Sequence, residues 1–373
     1  MRKNHWLRYS LLILFLAPFA FADRRPLSEV TKPRWNGPRQ GPVGVLQKQV
    51  DYIASDLRNE GASTVGEGFQ SAARHLKWKV QIKDGMGSKR VIEKHLQDAI
   101  NNKVHGIVLG GFDSENFEYS IKEAQEAGIK IVGWHSGDKP GKSKYLFTNV
   151  TTNPVTVAEN AAALVSYFGA KRRGVIIFTD TQFSIARTKS ETMRQAVEKI
   201  KNATVLDVLD IAVSEAHEKI PATVQALNAK YGKKWTHSLA VNDIYFDHMN
   251  FPLKSIGRKD IVNISAGDGS PKALSRIRSG VSQQVASIAE PLHAQGWQVA
   301  DELNRAFTPG ASESGFVSDP LVITRETLGS ANILSIEASL PFCRYVFESL
   351  VSESEIVLRF LRPESSDNCV ARS

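Results

Sequence analysis

Between residues 50 and 324, short apolar runs alternate with stretches of helical amphipathicity, and that alternation restricts the chain to folds built on parallel sheets. The β-rich runs fall at 50–54, 79–83, 106–110, 129–134, 174–179, 205–211, 238–241, 261–266, 285–289 and 321–324. Most show no polar–apolar alternation, so the predicted strands are covered on both faces. Between them, Ile92, Leu96, Ala99 and Ile100 share one helical face. Ile121, Ala124 and Ala127 share another, which ends at Gly128, a residue suited to stopping a helix. Asn153-Pro154 and Ser270-Pro271 each join a capping side chain to a proline fit for the first helical turn. Helices expected at 66–76 and 190–200 each follow a strand and a polar loop of similar length, so the two halves of the chain echo each other. The fold class is therefore α/β, with two doubly wound parallel-sheet lobes. Folds of this kind bind ligands outside the strand carboxyl ends. The loops that matter are then 56–61, 112–114, 134–137, 181–187, 242–245, 267–270 and 290–295.

The N-terminus points to export. Arg2, Lys3 and Arg8 accompany an apolar run from Leu11 to Ala20 broken by Pro18, and Ala20-Phe21-Ala22 offers a small-x-small cleavage site. This is the layout of a secretory signal peptide, and the run is too short to span a bilayer comfortably. Residues 1–22 are expected to be removed, which places the mature protein in a bacterial periplasm. Residues 23–42, rich in Pro, Arg and Gly, read as an exposed lead-in segment with Trp35 as its docking side chain. The formal net charge of +8 drops to +5 once Arg2, Lys3 and Arg8 leave with the leader. What remains is spread thinly, densest at Lys171-Arg172-Arg173 and Lys233-Lys234, with no recognition motif beside it; nucleic acid is not an expected partner.

Signatures of catalysis are absent. The chain has no Gly-x-Ser-x-Gly elbow, no Walker-type glycine loop and no His-Glu-x-x-His. The glycines of 106–111 follow a strand without dinucleotide-binding spacing. Cys343 and Cys369, the only cysteines, have no metal-ligand neighbours at useful spacing. An oxidising compartment permits a bridge between them, while sequence leaves their separation in space open. No catalytic residue, metal or other cofactor is assigned.

Four stretches carry a family likeness. They are Gly106-Ile-Val-Leu-Gly-Gly-Phe-Asp113 with Ala127-Gly-Ile-Lys-Ile-Val-Gly-Trp134, then Ile185-Ala-Arg-Thr-Lys-Ser-Glu-Thr-Met193, Val241-Asn-Asp243, and Gly267-Asp-Gly-Ser-Pro271 with Ile277-Arg-Ser-Gly280. In that order the chain resembles, over roughly 50–324, the ribose-type (type I) periplasmic solute-binding proteins of bacterial ABC importers. The resemblance implies two lobes joined by three hinge crossings, near 147–150, 290–295 and 320–324. It divides the chain into an N-terminal lobe of 43–147 and 291–319, a C-terminal lobe of 148–290 and 320–332, and a divergent tail of 333–373. It also implies a monomeric receptor that clamps a small polar, sugar-like ligand and delivers it to a membrane permease. A sensor that signals to a chemoreceptor or membrane histidine kinase is the alternative on the same fold.

The resemblance places Arg187, Asn242 and Asp268 where the second lobe hydrogen-bonds the solute, Asn59 at a first-lobe contact, and Glu290 at a hinge position that often carries an amide. Such planar groups suit ring hydroxyls, which both donate and accept. Trp134, Phe183 and Tyr245 are candidates for the aromatic faces that cover the C–H side of a ring, and His135 follows Trp134 into the same loop. Two departures stand out. Gly61-Ala62 replaces an aromatic pair, and His135-Ser136 stands where ribose binders carry Asp-Arg. The expected ligand is therefore not ribose itself.

Overall fold

Strands that are buried on both faces, except at the edges Lys79–Asp84 and Ala203–Asp210, form two sheets in the computed structural model, which describes residues 38, 41–169 and 171–328. The leader, nearly all of the lead-in including Trp35, both cysteines and the tail of 333–373 lie outside the described residues. The first sheet holds β1 (Gln49–Ala54), β2 (Lys79–Asp84), β3 (Gly106–Gly110), β4 (Lys130–Trp134) and β5 (Asn149–Val150). Its strands are all parallel, in the order β2-β1-β3-β4-β5. The second holds β6 (Arg173–Thr179), β7 (Ala203–Asp210), β8 (His237–Ala240), β9 (Val262–Ser265), β10 (Gln284–Ala289) and β11 (Leu321–Thr324). Its order is β11-β10-β9-β8-β6-β7, with β11 alone antiparallel. Apart from β11 the two sheets share one topology. Strand order reverses beside β1 in the first and beside β6 in the second, which makes the carboxyl ends of β1, β3, β6 and β8 the natural ligand crevices.

Helices cover the sheets: α1 (Glu60–His75), α2 (Lys89–Asn101), α3 (Glu118–Glu126), α4 (Pro154–Tyr167), α5 (Ser184–Glu198), α6 (Ala216–Tyr231), α7 (Ile244–Ser255), α8 (Pro271–Ser279), α9 (Leu292–Phe307) and the short α10 (Arg325–Leu328). The predicted caps form. The Asn153 side chain accepts from Val155 N and Thr156 N, the Ser270 hydroxyl accepts from Ala273 N, and Pro154 and Pro271 open their helices. Two helices begin well before the expected 66 and 190. Asn59 caps α1 by accepting from Gly61 N at 3.0 Å. The first residue of α5, Ser184, donates its N–H (2.8 Å) and hydroxyl (2.7 Å) to the Asp113 carboxylate, which comes from the other sheet's β3 loop. A cap supplied 71 residues away in sequence leaves no local signal. β5 lies within the first expected crossing, 147–150. Its pairing with β4 adds Asn149 and Val150 to the first sheet, past the division expected after residue 147.

The chain leaves the first sheet after β5, returns as α9, and leaves again to add β11 to the second sheet. Trp297, Val299 and Leu303 of α9 join Val65, Phe69 and Tyr52 in one apolar core. The return is fixed by glycine-to-backbone contact between α9 and α1. A Cβ at Gly296 would lie 2.3 Å from Val65 O and 2.5 Å from Phe69 N, and one at Gly68 would lie 2.3 Å from His293 O. Backbone cannot step aside as a side-chain tip can. Gly296→Ala is therefore expected to destabilise the protein by about 1–3 kcal/mol through forced separation of the two helices. An unchanged midpoint in chemical denaturation would overturn this account of the packing.

Candidate ligand cleft

Where the strand ends of the two sheets face each other they line an open-mouthed cleft. Ser55 and Asp56 follow β1, Gly111 follows β3, Asp180 follows β6, and Val241 and Asn242 follow β8; all of them line it. These are the four strand ends at the reversals of strand order. Trp134 and His135 reach the cleft from the end of β4, Asp268 from the loop after β9, and Phe183, Ile185 and Lys189 from the start of α5.

A buried ion-pair cluster forms the floor. Glu290, at the second passage between the sheets, has its Oε2 2.9 Å from His135 Nε2 and its Oε1 3.3 Å from Lys189 Nζ. The same carboxylate accepts from Thr152 N (3.4 Å) at the first passage and from the Gln295 amide (3.2 Å), which also donates to Ser318 near the third. One carboxylate thus touches or is tied to all three passages. Burial works against its charge, but His135 and Lys189, with hydrogen bonds from His135 and Thr152, outweigh it and hold the carboxyl well below the usual range. Ligand atoms of His135, Asp268 and Glu290 lie within 4.8 Å of one another, close enough to hold a metal ion. The Lys189 ammonium already supplies the positive charge such an ion would bring.

Asp268 sits above this floor. Its Oδ2 accepts from the Asn242 amide at 2.6 Å, and burial pushes its pKa up to about 6, against the opposing influence of Lys189 and His135. Asp243 does not face the cleft; it braces the neighbouring turn by accepting from Gly269 N, Ser270 N and the Gln284 amide. The two halves also meet around the rim. Lys272 pairs with Glu60 at 2.8 Å, and a Cβ on Gly61 would lie 2.3 Å from the Asp268 carboxylate. An aromatic pair at 61–62 could not fit there with the lobes in this position.

The family model described as "Periplasmic binding protein domain" matches residues 50–310. The chain belongs to the periplasmic binding protein family. Its members bind solutes rather than convert them, and the family places this binding protein in the periplasm. No curated protein sequence matches it. Among solved structures, a sugar ABC transporter protein from Yersinia enterocolitica is 18% identical, with a TM-score of 0.68, over 82% of this chain and 94% of that one. An ABC transporter solute-binding protein from Agrobacterium vitis, bound with alpha-D-tagatopyranose, is 14% identical, TM-score 0.68, over 78% and 99%. The Caulobacter myo-inositol-binding protein, bound to myo-inositol, is 18% identical, TM-score 0.65, over 82% and 99%. These likenesses establish the shared fold.

Within this binding protein, Asn59, Trp134, His135, Phe183, Asn242 and Asp268 line the cleft. Glu290 lies beneath it. Trp134 presents less of its ring than expected, because His135 stacks on one face (centroids 4.0 Å apart, 11° between planes) and the indole N–H is spent on Gln295 at 2.8 Å. Two expected contacts fall elsewhere. Arg187 is half-exposed at the rim, donating to Thr181 O (2.6 Å) with Asp113 at 3.8 Å. Tyr245 is fully buried in the second core beside Phe178, its hydroxyl donating to Ile211 O at 2.7 Å. It belongs to α7 rather than to a loop, and Phe246, Met249 and Leu253 join it in the core.

Lys189 lines the cleft although the sequence reading did not single it out. Helix period could have found it: Ile185, Lys189, Met193 and Val197 recur every four residues along the buried face of α5. Arg187, two residues off that stripe, points elsewhere. Asp56 and Asp180 also line the cleft, at the strand ends where this fold locates its site.

Proposed function

We propose that the protein is a monomeric periplasmic receptor that clamps a small polar, sugar-like ligand between its lobes and delivers it to the permease of an ABC importer. The observation that carries this reading is the cleft: strand-end residues of both sheets line it together, so one ligand would touch both lobes. Such a ligand stabilises the closed state by its differential contacts. Planar acceptors and donors (Asn59, Asn242, Asp180) alternate with aromatic surface (Trp134, Phe183), the mixture that a sugar ring needs. The tagatose-bound and inositol-bound relatives support the ligand class. In this reading the first lobe extends to Val150 and regains the chain through α9, and the second runs from α4 to β10 and includes β11.

A thermal-shift panel of pentoses, hexoses, polyols and their charged derivatives tests it. At about a hundred times Kd a true ligand adds about 2.7 kcal/mol of stability, a rise of roughly 5–10 °C in melting temperature. A panel in which no member moves the transition would refute the sugar-like class.

A further inference from the structure

We infer that the natural ligand carries a protonated amine, which makes it an amino sugar or amino polyol rather than a neutral sugar or a sugar acid. The inference rests on the receptor reading above and comes from the charges that face the cleft. Three carboxylates line it, Asp56, Asp180 and Asp268, against two basic groups, Lys189 and His135. Most of these are already engaged. Asp56 is held by the Arg58 guanidinium, at 2.6 Å from Nη2 and 2.9 Å from Nε. Lys189 and His135 are both committed to Glu290. The arginine that would add positive charge, Arg187, turns out to the rim.

Asp180 and Asp268 are left. Asp180 accepts from two backbone N–H groups, Gln182 (3.1 Å) and Val213 (2.8 Å), and the charged side chain nearest in influence is another acid, Asp210. Asp268 has the neutral Asn242 amide as its hydrogen-bond donor; a His135 ring nitrogen lies within 4.8 Å and Lys189 also acts on it, but both of these are bonded to Glu290. Burial raises both carboxyls above the ordinary range. The cleft is thus a desolvated place with two under-neutralised acceptors and no free cation among the described residues. An ammonium brings three donors and the missing charge. A hydroxyl brings a donor without the charge, and a carboxylate or phosphate would meet two like charges.

The test is calorimetry on the whole protein at pH 7, in matched gluco, galacto and manno sets: aminohexose, parent hexose and uronate. Charge-assisted hydrogen bonds are about twice as strong as neutral ones, so the amine is expected to bind at least about tenfold tighter than its parent. The uronate should bind weakest, and the amine's advantage should shrink in high salt. At pH 6 amine binding should release protons, because the ammonium lowers the Asp268 pKa from about 6; binding of the neutral parent should not. Asp268→Asn should bring the amine down to the affinity of the parent. If a neutral or acidic member binds as tightly as the amine of its set, the amine assignment is overturned while the receptor reading stands. If no member of any set binds, both fall.

Discussion

Glu290→Ala is expected to lower the melting temperature by roughly 5–15 °C, more than any other single change in the cleft. The Glu290 side chain is 0% exposed and those of Lys189 and His135 are 3% and 8%. Removing the carboxylate strands a buried ammonium, leaves Thr152 N without its acceptor and takes from the Gln295 amide one of its two acceptors, Ser318 remaining. Breaking one side of a buried ion pair costs about 3–5 kcal/mol, because the remaining charge keeps its desolvation penalty and loses its compensation. The same physics predicts a rescue. Lys189→Met combined with Glu290→Gln removes both charges and should regain most of the loss. A single variant that melts with the wild type, or a double variant no better than Glu290→Ala, would show that the cluster is not what holds the three passages together.

Asp268→Asn should act in the opposite direction, and only above acid pH. The carboxyl titrates at about 6 in the folded protein against an ordinary 3.8. The folded state therefore holds its proton more tightly than the unfolded chain, and stability declines as pH rises from about 4 to about 6, staying lower above that. Asparagine keeps an acceptor for the Asn242 amide and carries no charge to desolvate. The ligand-free variant should be more stable than wild type at pH 7–8 by up to about 3 kcal/mol, because each pH unit between the unfolded and folded titration points contributes about 1.4 kcal/mol. Below about pH 4 the two proteins should be equally stable. Melting curves across pH 4–8 read this directly. A variant less stable at pH 8, or a difference that does not change with pH, would contradict the burial of a charged carboxyl at this position.

Together these substitutions separate two uses of charge in one cleft. Glu290 is neutralised and structural; it binds the passages between the sheets. Asp268 is under-neutralised and faces the space where a ligand would sit.

Much of this arrangement was legible in the sequence. Apolar runs without alternation specified strands buried on both faces, and their order with the helices specified parallel sheets with sites at the strand ends. That pattern singled out the strand-end loops and their aromatics, Trp134 and Phe183; the family resemblance, not the pattern, picked out Asn59, Asn242 and Asp268 within those loops. What sequence could not supply was direction and distant partnership. Arg187 and Lys189 sit two residues apart in the same motif, and only the seating of α5 on its sheet decides which of them enters the cleft. Tyr245 looked like a loop aromatic because helix α7 begins at Ile244, immediately before it. The start of α5 depends on Asp113, the floor of the cleft on His135 and Glu290 meeting across 155 residues, and the return of α9 on two glycines that let backbones touch. Local pattern determines which segments become strands and helices, since burial and capping act over a few residues. Contacts made only when the two sheets come together decide which side chains become the site, and those contacts have no period along the chain.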